Sequence, residues 1–233
     1  MLYFPSQVSP NEGLMPPHLL EPFARGKGTY DVKCKEKVLR KSMVIPRAKR
    51  AFDVALGILL LPLFSITMMM IALAVKFTSR GPALYWSDRV GRNNKIFRMP
   101  KFRTMKMSAP EVATHLLSDP EAHLTAIGPF LRKTSLDELP QIYSILKGDL
   151  SFVGPRPALH NQDDLVALRT ECGVHELLPG LTGWAQINGR DDLPIPVKVA
   201  YDCEYLRKRT LLFDLKILLR TVAKVLRGDG VVH

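Results

Sequence analysis

Asp137 and Glu138 stand side by side in the stretch R-K-T-S-L-D-E-L-P-Q-I-Y, Arg132 to Tyr143. The chain carries 33 Lys and Arg against 22 Asp and Glu, a formal net charge of +11, so adjacent carboxylates in it call for a reason. Either they open a helix or they perform chemistry. An ionised carboxylate is a competent nucleophile toward phosphorus. A second carboxylate about 100° away around a helix can hold a divalent cation, which lets an anion approach an anion. Neighbours this close do not readily flank one glycosidic bond, which argues against a glycosidase pair.

The surrounding cations suit a phosphate. In S-F-V-G-P-R-P, Ser151 to Pro157, two prolines bracket Arg156 and stiffen the loop that presents its guanidinium, whose fork matches phosphate oxygens. An ordinary turn would read the same way. Lys101 and Arg103 close a basic stretch, and alternation along an extended chain aims both to one face, where two cations grip a phosphate or simply form a solvated edge.

Ser135-x-x-Glu138 also has the spacing of a capping box, the structural alternative to chemistry. Pro140 weakens it. With Ser135 as the cap, Pro140 falls where its missing N–H and its ring disrupt the helix. A start at Leu136 or beyond puts Pro140 in the first turn and leaves Asp137 and Glu138 at the helix mouth, with Asp137 as a simple cap. There the helix dipole favours ionised carboxylates and a substrate phosphate alike. Leu139, Ile142, Tyr143, Ile145 and Leu146 supply an apolar face, and Lys147-Gly148 reads as the stop.

These residues need elements to hold them. At 233 residues and 46% apolar content, the chain is long enough for one good core and is not disordered throughout. Between Val54 and Val75 no residue is charged, and a straight helix of that length matches the hydrocarbon thickness of a bilayer. Pro62 interrupts it. Both flanks are basic, with Arg47, Lys49 and Arg50 on one side and Lys76 and Arg80 on the other, which draws both ends to the cytoplasmic face. A helix broken at Pro62 that enters and leaves by one face satisfies both flanks, with Ser65 or Thr67 available to the freed carbonyls. A single span and a buried core helix are the alternatives.

Ala83 to Trp86 and Lys95 to Met99 have strand character about a Gly91-Arg92-Asn93-Asn94 turn, which predicts a hairpin. Pro179 to Arg190 is turn-rich. From Leu211 to Arg227, Lys216, Arg220, Lys224 and Arg227 recur at helical spacing among Leu, Ile, Val and Phe, giving either an interfacial amphipathic helix on anionic headgroups or one packed on the core. Residues 1–45, Pro- and Gly-rich and then basic, read as a mobile or surface-lying extension. Cys34, Cys172 and Cys203 suggest neither a disulfide framework nor a zinc site, and no histidine stands at metal-ligand spacing from another histidine or a cysteine.

Taken in order, K-F-R-T-M from Lys101, L-R-K-T-S-L-D-E-L-P-Q from Leu131, and K-G-D-L-S-F-V-G-P-R-P from Lys147, behind a proline-broken apolar helix, resemble the monotopic bacterial sugar transferases. These are polyprenol-phosphate phosphoglycosyl transferases, and the likeness covers about Arg47 to Gly228. Met99-Pro100 precedes Lys101 where the family more usually carries an aromatic residue. The resemblance implies Asp137 as the nucleophile toward the β-phosphate of a nucleotide diphosphate sugar, with UDP as the nucleotide. It implies Glu138 as co-ligand, with Asp137, of Mg²⁺, and Lys101, Arg132 and Arg156 as phosphate-handling cations. Polyprenol (undecaprenyl) phosphate then takes the phosphosugar in a ping-pong cycle on the cytosolic face of the bacterial inner membrane.

The expected fold is therefore helix-rich α+β. An extension over 1–45 precedes a basic lead and re-entrant helix over 46–78, then a cytosolic catalytic domain over 79–233 with interfacial helices. Anionic phospholipids are expected partners, nucleic acid is not, and self-association is left open. A nucleic-acid module does not account for the uncharged segment. A non-catalytic basic membrane scaffold accounts for that segment but has no use for converging cations and carboxylates.

Overall fold

The apolar segment forms the longest element, α1 (Arg47–Thr78), in a computed structural model that describes residues 47–109, 121–189 and 193–227. The expected extension over 1–45 lies outside the described residues. α1 continues through Pro62 as one helical element, and no re-entrant hairpin is resolved. Pro62 has no amide to give to the preceding turn, and the Ser65 hydroxyl donates to the Pro62 carbonyl at 2.8 Å instead of to the carbonyl that proline frees.

Both ends of α1 dock on the same globular body. Near its start Asp53 is fully buried, and the Arg50 guanidinium donates to the carbonyls of Ile145 and Leu146 at 2.5 and 2.7 Å. Near its end Ile71 and Val75 pack with Phe102 and Leu131. Between these contacts Ile58, Leu63, Ile66 and Met70 are each 60% exposed or more. Apolar surface of that extent has no use in water.

The expected hairpin is present. β1 (Leu84–Val90) and β2 (Ile96–Phe102) pair antiparallel around a 3-10 turn at Arg92–Asn94. The register sets Tyr85 opposite Lys101, Ser87 opposite Met99 and Arg89 opposite Phe97, all on one face. Among the described residues β2 is an edge strand, where Pro100 is tolerated because no outer neighbour there needs its amide.

After α2 (Gly128–Thr134), Ser135 adopts a left-handed conformation, φ 56°, which costs a non-glycine residue about 1 kcal/mol and reverses the chain. A 3-10 turn at Leu136–Glu138 leads to α3 (Gln141–Lys147). The helix stops at Gly148, whose φ of 102° suits glycine, and its amide returns to Ser144 and Ile145.

β3 (Ser151–Val153) runs parallel to β5 (Gly180–Thr182), while β4 (Ala158–Leu159) joins the hairpin beside Arg89 and Val90. Gly154 and Gly180 approach so closely that a Cβ on Gly180 would stand 2.1 Å from the Gly154 nitrogen. α4 (Asp163–Glu171), α5 (Trp184–Asn188), α6 (Ile195–Lys208) and α7 (Leu211–Arg227) complete a helix-rich α+β fold. The main core gathers Ile145, Leu150, Phe152, Val153, Tyr205 and Ile217.

α7 packs on the core along one face, as one of the two readings of its sequence had it. Ile217 and Asp214 are buried in the body, yet Leu212 and Leu219 on the same helix are 80% and 65% exposed. A network ties its inner face to α1: Lys49 meets Asp214 at 2.8 Å, and the Tyr205 hydroxyl donates to Asp214 at 2.8 Å.

Candidate active site

The carboxylate pair caps nothing. Neither Ser135 nor Pro140, the residues that precede the 3-10 turn and α3, makes a side-chain capping bond. Pro140 itself stands just before α3, so the pair lies one turn earlier than the helix mouth at which the sequence placed it. The capping box is not formed: Ser135 takes a left-handed conformation where an N-cap is ordinarily extended, and its side chain makes no capping bond. Asp137 and Glu138 are not spent on a helix N-terminus.

Lys101, Arg132 and Arg156 surround them. The Asp137 carboxyl, 8% exposed, is pushed up to about 6, first by burial and then by the Glu138 charge, against the pull of Lys101, Arg132 and Arg156. Lys101 is brought down to about 8 by burial and then by Arg89, against the opposing pull of Asp137 and Glu138. Its ammonium also sits 5.6 Å over the Tyr85 ring. Arg132 donates to the Thr104 hydroxyl at 3.1 Å, and Arg156 pairs with Glu138 at 3.3 Å. That last pair is partly exposed and adds about 1 kcal/mol at most, so it organises more than it stabilises.

Arg156 owes its position to backbone. The Gly154 amide donates to Thr182 and the Gly180 amide to Pro155, both at 2.9 Å, lacing its loop to β5. From the other side the Arg169 guanidinium donates to the Arg156 carbonyl at 2.8 Å while holding the buried Asp202 at 2.7 Å. The stiffness expected from the two prolines is thus reinforced by long-range partners.

Arg103 is not brought to the site. It is 4% exposed, and its guanidinium donates to the carbonyls of Ser79 and Arg80 and, at 2.7 Å, to the Ser79 hydroxyl, closing the end of α1. The alternation argument fails because β2 ends at Phe102, one residue earlier.

Two residues of the cleft escaped the sequence reading. Arg89 and Gln141 line it together with Met99, Lys101, Glu138 and Arg156. The Arg89 signal was available, since it alternates with Tyr85 and Ser87 on the face that carries Lys101. Gln141 gave no signal, being one polar residue at the start of an amphipathic helix.

The donor set fits Mg²⁺. Two adjacent carboxylates are hard oxygen ligands, and the burial that first raises Asp137, with the Glu138 charge second, is a cost that a divalent cation would relieve. No cluster of three or more His, Cys, Asp or Glu residues occurs among the described residues, so phosphate oxygens and water would complete the shell.

A family model described as bacterial sugar transferase matches residues 44–228. The chain is 41% identical over 199 residues to an undecaprenyl-phosphate galactose phosphotransferase of Salmonella typhimurium, covering 78% of this chain and 41% of that one. It is 40% identical over 183 residues to a UDP-glucose:undecaprenyl-phosphate glucose-1-phosphate transferase of Escherichia coli, covering 76% and 39%. To the exopolysaccharide production protein ExoY of Rhizobium meliloti it is 37% identical over 200 residues, covering 78% and 87%. The chain thus spans about two fifths of the length of the first two relatives and most of the third.

Proposed function

Because this chain belongs to the bacterial sugar transferase family, we propose that it is a phosphoglycosyl transferase that moves a sugar-1-phosphate from a nucleotide diphosphate sugar, taken to be a UDP-sugar, to polyprenol phosphate. The observation that carries the reading is the buried Asp137 beside Glu138, encircled by Lys101, Arg132 and Arg156. Two of the relatives are themselves named for sugar phosphate transfer to undecaprenyl phosphate.

In the proposed first step, an ionised Asp137 oxygen forms a bond to the β-phosphorus of the donor. The bond from that phosphorus to the bridging oxygen breaks, and UMP departs with the electron pair. Lys101, Arg132 and Arg156 draw the diphosphate in and take up the charge that gathers on its oxygens. Asp137 and Glu138 would hold a Mg²⁺ ion, which offsets the repulsion between carboxylate and phosphate. In the second step a phosphate oxygen of polyprenol phosphate bonds to the same phosphorus and Asp137 leaves, giving a polyprenol diphosphate sugar. Such a product begins a membrane-bound glycan, whether exopolysaccharide, capsule, O-antigen or glycoprotein glycan.

The proposed location is the cytosolic face of the inner membrane, held monotopically. The docking of both ends of α1 on one body supports it. Asp53 and Val75 would stand about 33 Å apart along a straight helix, enough to cross, but a crossing helix delivers its ends to opposite faces. With both ends held and the apolar middle turned outward, entry and exit by one face, with Pro62 as the point of bending, is proposed over a crossing that would part the two ends. The outward leucines of α7 and its cations Lys216 and Arg220 add an interfacial contact with anionic phospholipid.

The test needs no lipid acceptor. Detergent-solubilised protein, Mg²⁺ and a panel of UDP-sugars should yield UMP and one phosphosugar adduct by intact mass. Absence of an adduct with every sugar, or an adduct that persists in Asp137→Asn, would overturn the reading.

A further inference from the structure

We propose that Gln141 contacts the substrate directly, its Nε2 donating a hydrogen bond to a non-bridging oxygen of the phosphoryl group that Asp137 attacks. This rests on the phosphoryl-transfer reading and adds a neutral donor to the cations named there.

Gln141 is the first residue of α3 and is 2% exposed. Its Nε2 has no hydrogen-bond partner, although the side chain lines the cleft with Lys101, Glu138 and Arg156. Folded proteins leave few buried donors unpaired, since each forfeits the hydration it had in the unfolded chain. The acceptor nearest in the sequence, Glu138, is engaged by Arg156 instead. A buried, unpaired donor that belongs to a residue of the cleft lining is therefore matched to an acceptor that arrives with the ligand. Lys101 and Arg156 select what arrives, and an anionic oxygen is the acceptor they attract.

The carboxamide also has a property that no cation offers at that position. Lys101, Arg132 and Arg156 already supply positive charge there, and a further cation at position 141 would compete for the carboxylates themselves. An amide N–H donates without neutralising a carboxylate, so it contributes only when the phosphoryl oxygens are in place. In phosphoryl transfer those oxygens carry the charge of the transition state, and a donor aimed at them acts on rate more than on ground-state binding.

The experiment uses Gln141→Met, close in volume and without a donor, and Gln141→Glu, close in shape and acidic. Adduct formation is followed in a single turnover with the UDP-sugar that loads the wild type, alongside thermal unfolding of the ligand-free protein. Gln141→Met should slow adduct formation by about 100-fold with Tm unchanged or raised, because the orphaned donor is gone. Gln141→Glu should be slower still. A Gln141→Met rate within about threefold of wild type would overturn the inference. So would a fall in Tm, which would mark the side chain as packing. A wild type that forms no adduct overturns the phosphoryl-transfer reading itself, an outcome distinct from a wild type that loads and a variant that loads equally well.

Discussion

Lys49, in the first turn of α1, and Asp214, near the start of α7, meet 2.8 Å apart with Asp214 almost wholly buried. Asp53 shares the same lysine at 3.6 Å, and the Phe152 amide donates to Asp53 at 3.3 Å. The two elements with the most exposed apolar surface are thus joined through a charged contact behind β3, the strand that leads to Arg156.

Removing the cation should be costly. Lys49→Met leaves two carboxylates buried without their counter-charge, and a loss of about 3 to 5 kcal/mol is expected. Thermal unfolding in detergent measures it. Asp214→Asn in the Lys49→Met background should recover part of the loss, whereas equal stability of the single variant and wild type would show that the contact contributes nothing.

Arg103→Met separates structure from substrate binding. The guanidinium serves the carbonyls at the end of α1, so the substitution should lower stability by about 1 to 3 kcal/mol and leave KM for the nucleotide sugar unchanged. A severalfold rise in KM at unchanged Tm would return Arg103 to the phosphate-binding set.

The site should show a bell-shaped pH dependence of kcat/KM. In the proposed mechanism Asp137 acts ionised, with a pKa pushed up to about 6, and Lys101 acts protonated, with a pKa brought down to about 8, so activity should rise through the first value and fall through the second. Mg²⁺ favours the ionised carboxylate and should move the acid limb downward. Arg89→Gln removes a positive neighbour of Lys101 and should move the basic limb upward. Stability follows a different sign: the folded state holds the Asp137 proton more tightly than the unfolded chain, so this group destabilises the ligand-free fold as pH rises from about 3.8 through about 6. A flat rate profile across pH 5 to 9 would contradict both assignments.

Topology is open to chemical labelling. In a variant lacking the native cysteines, single cysteines at Arg47 and Phe77, both exposed, flank the apolar stretch. An impermeant thiol reagent should reach neither in sealed cells and both after permeabilisation. Labelling of either one from outside would replace the monotopic arrangement with a span.

Local signals carried much of this fold. The hairpin turn at Gly91–Asn94, the stop at Gly148 and the helix from Leu211 each depend on residues within a few positions, and each lies where its sequence placed it. Asp137, Lys101, Arg132 and Arg156 lie near one another in the fold, and what singled them out in the sequence was the order of the motifs that carry them, which resembles that of the family. Arg103 was misplaced because strand alternation says nothing one residue past the strand. The buried Arg169–Asp202 pair and the Tyr205–Asp214–Lys49 chain were not legible, since each joins distant segments and a lone charge looks solvated until its partner is known. Cys172 and Cys203, widely separated in sequence, likewise share two clusters as neighbouring thiols that form no disulfide.

The close approach of Gly154 and Gly180 also has a mechanical side. With no space for even one methyl group between the two backbones, the wall that bears Arg156 works as a fixed jaw. Lys101 faces it from β2, which among the described residues pairs only with β1. If a ligand enters between the two walls, any widening of the cleft has to come from the Lys101 side, because the Arg156 side has no slack to give.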